Sequence, residues 1–220
     1  IDGVPEKIWV SRVEASKHSK GRAYVSFDNH RFDDNKPYVF ITEDYGKTWS
    51  NISSNLPQDY SVYVVKEDYL DENLLFVGTE KSVYFSNDRG TTWEKLGSNL
   101  PTVAIHDLVI HPRDGDLIAG THGRSIWILD DISPLRFLNE KEDKLLPTRI
   151  STKWVKINTG RKQPYFEFRG ENPPYGTIIN YFSTINTEGE LIISKNKIDD
   201  DSKEPIYRKS LNIKSAINRF

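Results

Sequence analysis

The sequence predicts an all-β protein in which a partial β-propeller of about three blades precedes an incomplete β-sandwich. Two observations predict the propeller: an eight-residue segment recurs 44 residues further along, and short runs with strand composition surround both copies. A third observation, a change of pattern after residue 133, predicts a second domain. A propeller blade is a four-stranded antiparallel sheet, and blade repeats have about this length.

The repeated segment spans 42–49 and 86–93, which we name the first box and the second box. Both boxes carry a hydroxyl residue, an aspartate, a glycine and a tryptophan at matching positions. These residues are Thr42, Asp44, Gly46 and Trp49, and Ser86, Asp88, Gly90 and Trp93. The same offset relates the Ser-Asn-Leu-Pro segments at 54–57 and 98–101. Two matches at one period indicate a structural repeat.

The composition of the boxes predicts a tight turn between the third and fourth strands of a blade. The aspartates are expected to accept hydrogen bonds from turn amides, the glycines to supply positive φ, and the tryptophans to bury their rings against the blade. The alternative is that the aspartates are catalytic or bind a metal. Recurrence of the same turn chemistry without other reactive groups nearby favours the structural role.

Runs of β-branched and aromatic residues predict four strands in each of the first two blades and three in the third. The predicted strands are 8–13, 22–28, 38–42 and 48–52, then 62–66, 74–79, 82–86 and 92–96, then 105–111, 116–121 and 125–129. In the third blade Asp131 takes the position of the box aspartate, but Leu129 and Ser133 replace the hydroxyl residue and the glycine. A fourth strand is not evident either, so this unit is expected to be the final blade. Earlier blades are expected upstream, because about four to eight blades close a ring, and any export signal would lie upstream as well.

The rest of the chain predicts a connector and a second β domain. The propeller blades are assigned to 1–133, the linker to 134–150 and a sandwich truncated at its C-terminus to 151–220. Its predicted strands are 154–157, 165–168, 177–182, 190–194 and 206–213. The acidic run 199–201 is read as a solvated hairpin tip, with a calcium loop as the alternative.

Composition and motifs exclude several functional classes. A net charge of −2 without a basic stripe argues against a nucleic-acid partner. No apolar tract is long enough to insert into a membrane. The chain has no cysteine, and it lacks phosphate-loop, dinucleotide and serine-nucleophile motifs. His106 and His111 fall on opposite faces of a straight strand, so no metal site and no cofactor are predicted.

Alternation of hairpin turns predicts which loops share a face of the propeller. The boxes lie on one face, and the turns between second and third strands lie on the other, with the connectors between blades. That second face receives the loop 29–36, residues 80–81 and the turn 122–124. The ligand-face candidates are His30, Arg31, Asp33, Asp34, His122 and Arg124. The alternatives are that the charges of the first loop are solvated or paired locally, and that Arg124 pairs with Asp130 or another blade.

The boxes, the segment 28–38 and the segment 120–131 resemble the sortilin-type, BNR-repeat proteins of bacteria, which are often labelled glycosyl hydrolases. The resemblance implies an Asp-box propeller that continues into an Ig-like β-sandwich through a motif like 170–176. Residues 217–220 resemble the approach to a late strand of that sandwich. The resemblance also implies export to the periplasm, the outer surface or the medium.

Two functions follow from these features, and a third is disfavoured. The first is non-catalytic recognition of a protein, peptide or glycan on the channel face. The alternative is a glycoside hydrolase, xyloglucanase-like or sialidase-like, whose key residues lie upstream. A hydrolase of the first kind needs two carboxyl groups roughly 5 to 9.5 Å apart, and Asp33 or Asp34 supplies only one. A scaffold role is disfavoured by the attached sandwich.

Overall fold

The computed structural model describes residues 1–97, 99–138, 142–151, 176–197 and 200–220. Within these residues the chain is built from antiparallel strands and two short 3₁₀ turns, so the all-β prediction is confirmed. The chain divides into two compact units, Ile1–Arg136 and Phe137–Phe220. The predicted strands 154–157 and 165–168, the motif 170–175 and Asp199 lie outside the described residues. The sandwich therefore stays a prediction.

The first unit contains three consecutive sheets with propeller topology. The first blade comprises β1 (Trp9–Ala15), β2 (Ala23–Asn29), β3 (Asp34–Thr42) and β4 (Ser50–Asn51). The second comprises β5 (Val62–Glu67), β6 (Leu75–Thr79), β7 (Val83–Ser86) and β8 (Glu94–Lys95). The third comprises β9 (Ile105–Ile110), β10 (Leu117–Thr121) and β11 (Ile126–Leu129). Each sheet pairs its strands in chain order, and β5 contacts both β1 and β9, so the first strands of the blades lie side by side.

The core lies between the faces of neighbouring blades. One cluster joins apolar side chains of the first blade to those of the second, and these are Tyr24, Val39 and Ile41 with Val62, Val65, Leu75, Val77, Tyr84 and Trp93. Burying each such side chain contributes about 1.5–3 kcal/mol relative to exposure. The alternating apolar positions of the strands therefore stack the sheets against one another.

Gly78 shows how closely the second and third blades approach. A Cβ atom at this position would lie 2.6 Å from Val64 Cγ1 and 2.7 Å from the backbone oxygen of Ile105. Ile105 begins the first strand of the next blade. Only glycine permits this contact, because real Cβ atoms do not come so near to a backbone oxygen.

A buried charge network also joins the first two blades, on the side of the boxes. The Arg22 side chain is 7% exposed and donates to Glu43 at 2.8 Å and to Glu72 at 2.7 Å. The Tyr24 hydroxyl donates to the buried Glu67 carboxylate at 2.9 Å. Because the Glu67 side chain is fully buried and Arg22 lies 3.8 Å away, removing Arg22 would take the nearby cation from a buried carboxylate.

Both boxes form the same hydrogen-bonded turn. Asp44 accepts from the Thr48 backbone amide at 2.9 Å and from the Thr48 hydroxyl at 2.7 Å. Asp88 accepts from the corresponding groups of Thr92 at 2.8 and 2.6 Å. The aspartates thus close the turn that leads from the third strand of each blade into the fourth.

The box glycines take the same backbone conformation. Gly46 and Gly90 each have φ of 84°, a region that favours glycine. Their amides donate to the hydroxyls of Thr42 and Ser86 at 2.9 and 2.7 Å. The side-chain oxygen of the hydroxyl residue at the start of each box therefore accepts the hydrogen bond of the glycine amide inside the turn.

The two box tryptophans differ in their surroundings. Trp93 is 3% exposed, packs in the cluster between blades, and donates from its indole nitrogen to the Ile52 oxygen of the preceding blade at 2.6 Å. Trp49 is only partly buried, and its indole donates to Gly46 of its own turn at 3.1 Å. Burial of these rings therefore depends on which blade lies beside them.

The third blade departs from the repeat after β11. Asp131 donates from its backbone amide to Asp116 at 2.9 Å and has φ of 57°, whereas positive φ in the boxes falls on the residues after the aspartate. Ser133–Phe137 then forms a 3₁₀ turn. Among the described residues this blade has three strands, as its altered box predicts.

The second unit contains a sheet and a long hairpin. Strands β12 (Lys144–Leu145), β13 (Asn180–Ser183) and β16 (Ala216–Arg219) form the sheet in the order β12-β13-β16. Strands β14 (Thr187–Lys197) and β15 (Asp200–Ile213) pair with each other. Strand β12 falls inside the range 134–150 that was assigned to the linker. Its residues form a strand there by pairing with Tyr181 and Phe182 of β13.

Candidate ligand-binding face

One face of the first unit collects the first residues of β1, β5 and β9 together with three turns. These turns join β2 to β3 at 30–33, β6 to β7 at 80–82 and β10 to β11 at 122–125. Antiparallel pairing brings them together, because each second strand ends where the first strand of its blade begins. We call this surface the channel face. It carries all six ligand-face candidates.

The loop expected at 29–36 is shorter than predicted. Asn29 ends β2 and pairs with Asp34, which begins β3, so the connection is a 3₁₀ turn at His30–Phe32 followed by Asp33 at φ 57°. The Asp34 carboxylate accepts from Asn29 at 3.0 Å and from the Tyr38 hydroxyl at 2.8 Å. These side-chain bonds extend the hairpin beyond the predicted strand. Burial opposes ionisation of Asp34, but these hydrogen bonds lower its pKa overall.

His30 and Arg31 make contacts within the first blade. The His30 imidazole contacts the Asp28 carboxylate at 2.6 Å. The Arg31 guanidinium lies 5.7 Å from the centre of the Trp9 ring, within the range of a cation–π interaction. Trp9 is nevertheless 58% exposed. The turn therefore offers solvent both an arginine and a large aromatic surface.

Four aromatic side chains form a continuous row across the three blades, which we call the ring row. The His30 and Tyr63 centroids are 6.2 Å apart, and Tyr63 stacks on His106 at 4.5 Å with 13° between the planes. His106 in turn lies 5.2 Å from His122. The row starts in the first blade, passes through the second and ends in the third. It links candidates that lie 92 positions apart in the sequence.

Tyr63 and His106 owe their positions to β-bulges. In β5, Val62 pairs with Thr79 and Val64 with Gly78, so Tyr63 is the unpaired extra residue. His106 is the corresponding extra residue of β9. A bulge re-aims its side chain and bends the strand. Sequence reasoning did not include either residue among the site candidates. A usable signal was present, because an aromatic ring occupies the second position of the first strand in two consecutive blades.

The environment of the row perturbs two of its members. Burial raises the pKa of Tyr63 to about 12, with further contributions from the charges of Asp28 and Glu80. Burial lowers the pKa of His106, and the neighbouring His122 lowers it further. At neutral pH the centre of the row thus consists of an uncharged phenol and an uncharged imidazole, each able to donate and accept hydrogen bonds.

His122 and Arg124 sit in a tight turn. Gly123 has φ of 78° and Ser125 has φ of 63°. The Arg124 amide donates to the Thr121 hydroxyl at 3.2 Å, and the Trp127 indole donates to the Arg124 oxygen at 2.8 Å. The Arg124 side chain is exposed, and within the described ranges it forms no ion pair. Pairing with Asp130 is therefore not observed.

The described residues show no arrangement typical of a metal site or a membrane span. No group of three or more His, Asp or Glu side chains there is arranged to hold a metal ion. No helix in the same part of the chain is long and apolar enough to span a membrane. The chemistry of the channel face is accordingly that of aromatic rings, imidazoles and a few charged side chains.

Comparisons with known proteins give a family and several structural neighbours. The family described as sortilin, neurotensin receptor 3 matches residues 37–212. No curated protein matches the sequence. The solved structures include a GH74 xyloglucanase from Xanthomonas campestris, 19% identical with a TM-score of 0.46, covering 58% of this chain and 21% of that one. They also include a GH74 enzyme from Niastella koreensis, 17% identical with a TM-score of 0.46, covering 56% and 21%.

The structural neighbours are too distant to carry an argument, and the chain spans about one fifth of their length. The family match is different in kind, because it covers most of the chain, including the second box, the ring residues Tyr63, His106 and His122, and the β14–β15 hairpin. It confirms the sortilin part of the resemblance. This chain belongs to the sortilin (Vps10) family.

Proposed function

We propose that this chain is part of a recognition propeller that binds a protein, peptide or glycan on its channel face without chemical turnover. The observation that carries the proposal is the ring row, which crosses three blades and ends beside the exposed Arg31 and Arg124. Such a surface supplies stacking, hydrogen bonding and charge over an extended length. Binding sites are enriched in these features.

Two carboxylates of the face, Asp28 and Asp34, favour binding over hydrolysis. Asp28 is paired with His30, and Asp34 is held in the hairpin by Asn29 and Tyr38. A glycoside hydrolase needs a carboxylic acid whose pKa is raised so that it can donate a proton. The pKa of Asp34 is shifted in the opposite direction, downward.

A ligand screen on the intact protein tests this function. Binding of a peptide or glycan should weaken in the variants His122→Ala and Arg124→Ala. It should be unchanged in Arg113→Ala, which removes an arginine that is 82% exposed in the turn after β9, on the box side. Ligands should be recovered unaltered after prolonged incubation.

Turnover would overturn the proposal. If the intact protein cleaves a glycan, the hydrolase alternative replaces recognition, and the variants Asp28→Asn, Asp33→Asn and Asp34→Asn then show whether a carboxylate of this face takes part. Binding that responds only to changes on the box side would also contradict it, because the ligand would then lie elsewhere.

We further propose that the intact protein is exported by a bacterium, as the resemblance implies. Cell fractionation tests this: recovery of the intact protein from the periplasm, outer surface or medium is expected, and a cytoplasmic protein contradicts it.

A further inference from the structure

The channel face carries charged side chains of both signs, with Arg31, Lys81 and Arg124 against Asp33, Asp34 and Glu80. Arg31 and Arg124 have no carboxylate in contact within the described residues, and neither Asp33 nor Glu80 has a cation in contact there. Lys81 is neutralised by Asp59 at 3.3 Å. A surface with both signs interspersed lacks the single-sign field that recruits polyanions or polycations. A ligand without a large net charge is therefore the electrostatic match for this face.

The aromatic groups of the face remain open to solvent. Trp9 is 58% exposed and Phe32 is 60% exposed. Trp9 lies under Arg31, which belongs to the same turn as Phe32 and His30. Contiguous exposed apolar surface rimmed by polar groups marks an interaction site. Pyranose sugars match such a surface chemically, because their C–H faces are apolar and flat while their edges carry hydroxyl groups.

The polar groups of the ring row are complementary to the hydroxyl groups of sugars. Each sugar hydroxyl donates one hydrogen bond and accepts others, and the nitrogen atoms of an imidazole and the hydroxyl of a phenol can pair with it. Tyr63, His106 and His122 supply these groups at successive centroid spacings of 4.5 and 5.2 Å. The exposed Asp33 and Arg124 add a further acceptor and donor. A peptide ligand would instead favour pockets for alternate side chains, whereas the rings of this face pack against one another across the three blades.

We propose that the channel face binds a neutral glycan chain that starts over Trp9 in the first blade and continues along the ring row to His122 in the third. This inference rests on the proposed recognition function and names its ligand class. The aromatic side chains stack on sugar faces, and the imidazoles and the phenol hydrogen-bond to hydroxyl groups. Because the row crosses three blades, affinity increases with the number of sugar units.

The test uses the intact protein on an array of neutral, anionic and cationic oligosaccharides and acidic peptides. Calorimetric titration of the strongest binders follows, at low and high sodium chloride. The variants are Trp9→Ala and His106→Ala, and the control is Tyr45→Ala, which removes a ring that is 77% exposed in the first box. Circular dichroism checks that each variant is folded.

A neutral oligosaccharide is expected to bind, with an affinity that changes little with salt because no net charge is screened. Each face variant should weaken binding about tenfold, the effect of losing one aromatic contact, while Tyr45→Ala has no effect. Exclusive binding of charged glycans or acidic peptides, weakened by salt and by the face variants, would overturn the glycan inference and leave recognition at this face intact. Binding unaffected by any face variant would overturn both.

Discussion

Tyr63 and His106 stack with their ring centroids 4.5 Å apart, and each is the extra residue of a β-bulge in the first strand of its blade. The same irregularity occurs in β1, where the pairing skips Ser11. A β-bulge therefore recurs in the first strand of all three blades. In the first strand of each blade, the bulge takes one side chain out of the alternation between the two sheet faces and places it near the turns of the channel face.

The pKa of His106 should lie below that of an unperturbed histidine. Burial and the neighbouring His122 disfavour the charged form of the His106 imidazole in the folded protein. As the pH falls below about 6.5, this imidazole is therefore protonated in the unfolded chain at a higher pH than in the folded chain. The free energy of unfolding should fall as pH drops from about 6.5 through the folded-state pKa. NMR titration of the imidazole resonances measures the shift directly. A titration midpoint at or above 6.5 contradicts this prediction, and His122→Gln should move the midpoint of His106 upward.

Gly78→Ala should destabilise the propeller by about 1–3 kcal/mol, because the new methyl group meets the Ile105 oxygen and Val64. Gly97→Ala is the matched control, since a Cβ at that position meets no atom within 4 Å. Urea unfolding of the two variants provides the comparison. Equal midpoints for both would show that the second and third blades do not approach as closely as described.

Trp93→Ala should cost about 3–5 kcal/mol of stability, because the ring is buried between blades and bonded to Ile52. Trp49→Ala should cost less, since that ring is partly exposed and bonds within its own turn. Thermal unfolding of both variants gives the order. If Trp49→Ala proves the more damaging, the difference in environment between the two boxes has been misjudged.

Asp44 should contribute to acid stability. Hydrogen bonds from the backbone and hydroxyl of Thr48 lower its pKa from 3.8 to about 2. A lowered pKa means that the stabilisation is fully present above about pH 3.8 and is lost as pH falls toward about 2. Melting temperatures measured from pH 5 down to about 2 should decline less steeply in Asp44→Asn than in the unmodified protein. Parallel declines would show that the turn does not depend on the carboxylate.

Much of the fold could be predicted because its signals are local. Alternating apolar residues place β5 and β6 within one residue of their observed limits. The spacing of Asp, Gly and Trp in the boxes depends only on turn chemistry, and the altered segment after Leu129 predicts the missing fourth strand in the third blade. The length of β3 was underestimated, since Asp34 enters the strand through side-chain bonds to Asn29 and Tyr38 that strand composition does not reveal.

The candidate site was predicted only in part. Turn alternation brings His30 and His122 to one face, because it follows from antiparallel pairing alone. It does not reveal that Tyr63 and His106 connect them, because stacking between blades depends on how two sheets pack and on a bulge in each.

The sequence by itself determined the repeat, the strand order within each blade and the turn chemistry of the boxes, since all of these depend on residues close together in the chain. Only the tertiary structure decided which rings touch, how deeply Trp49 and Trp93 are buried, and that Gly78 faces the next blade. The physical reason is that these properties depend on distances between sheets, which are set jointly by every side chain packed between them.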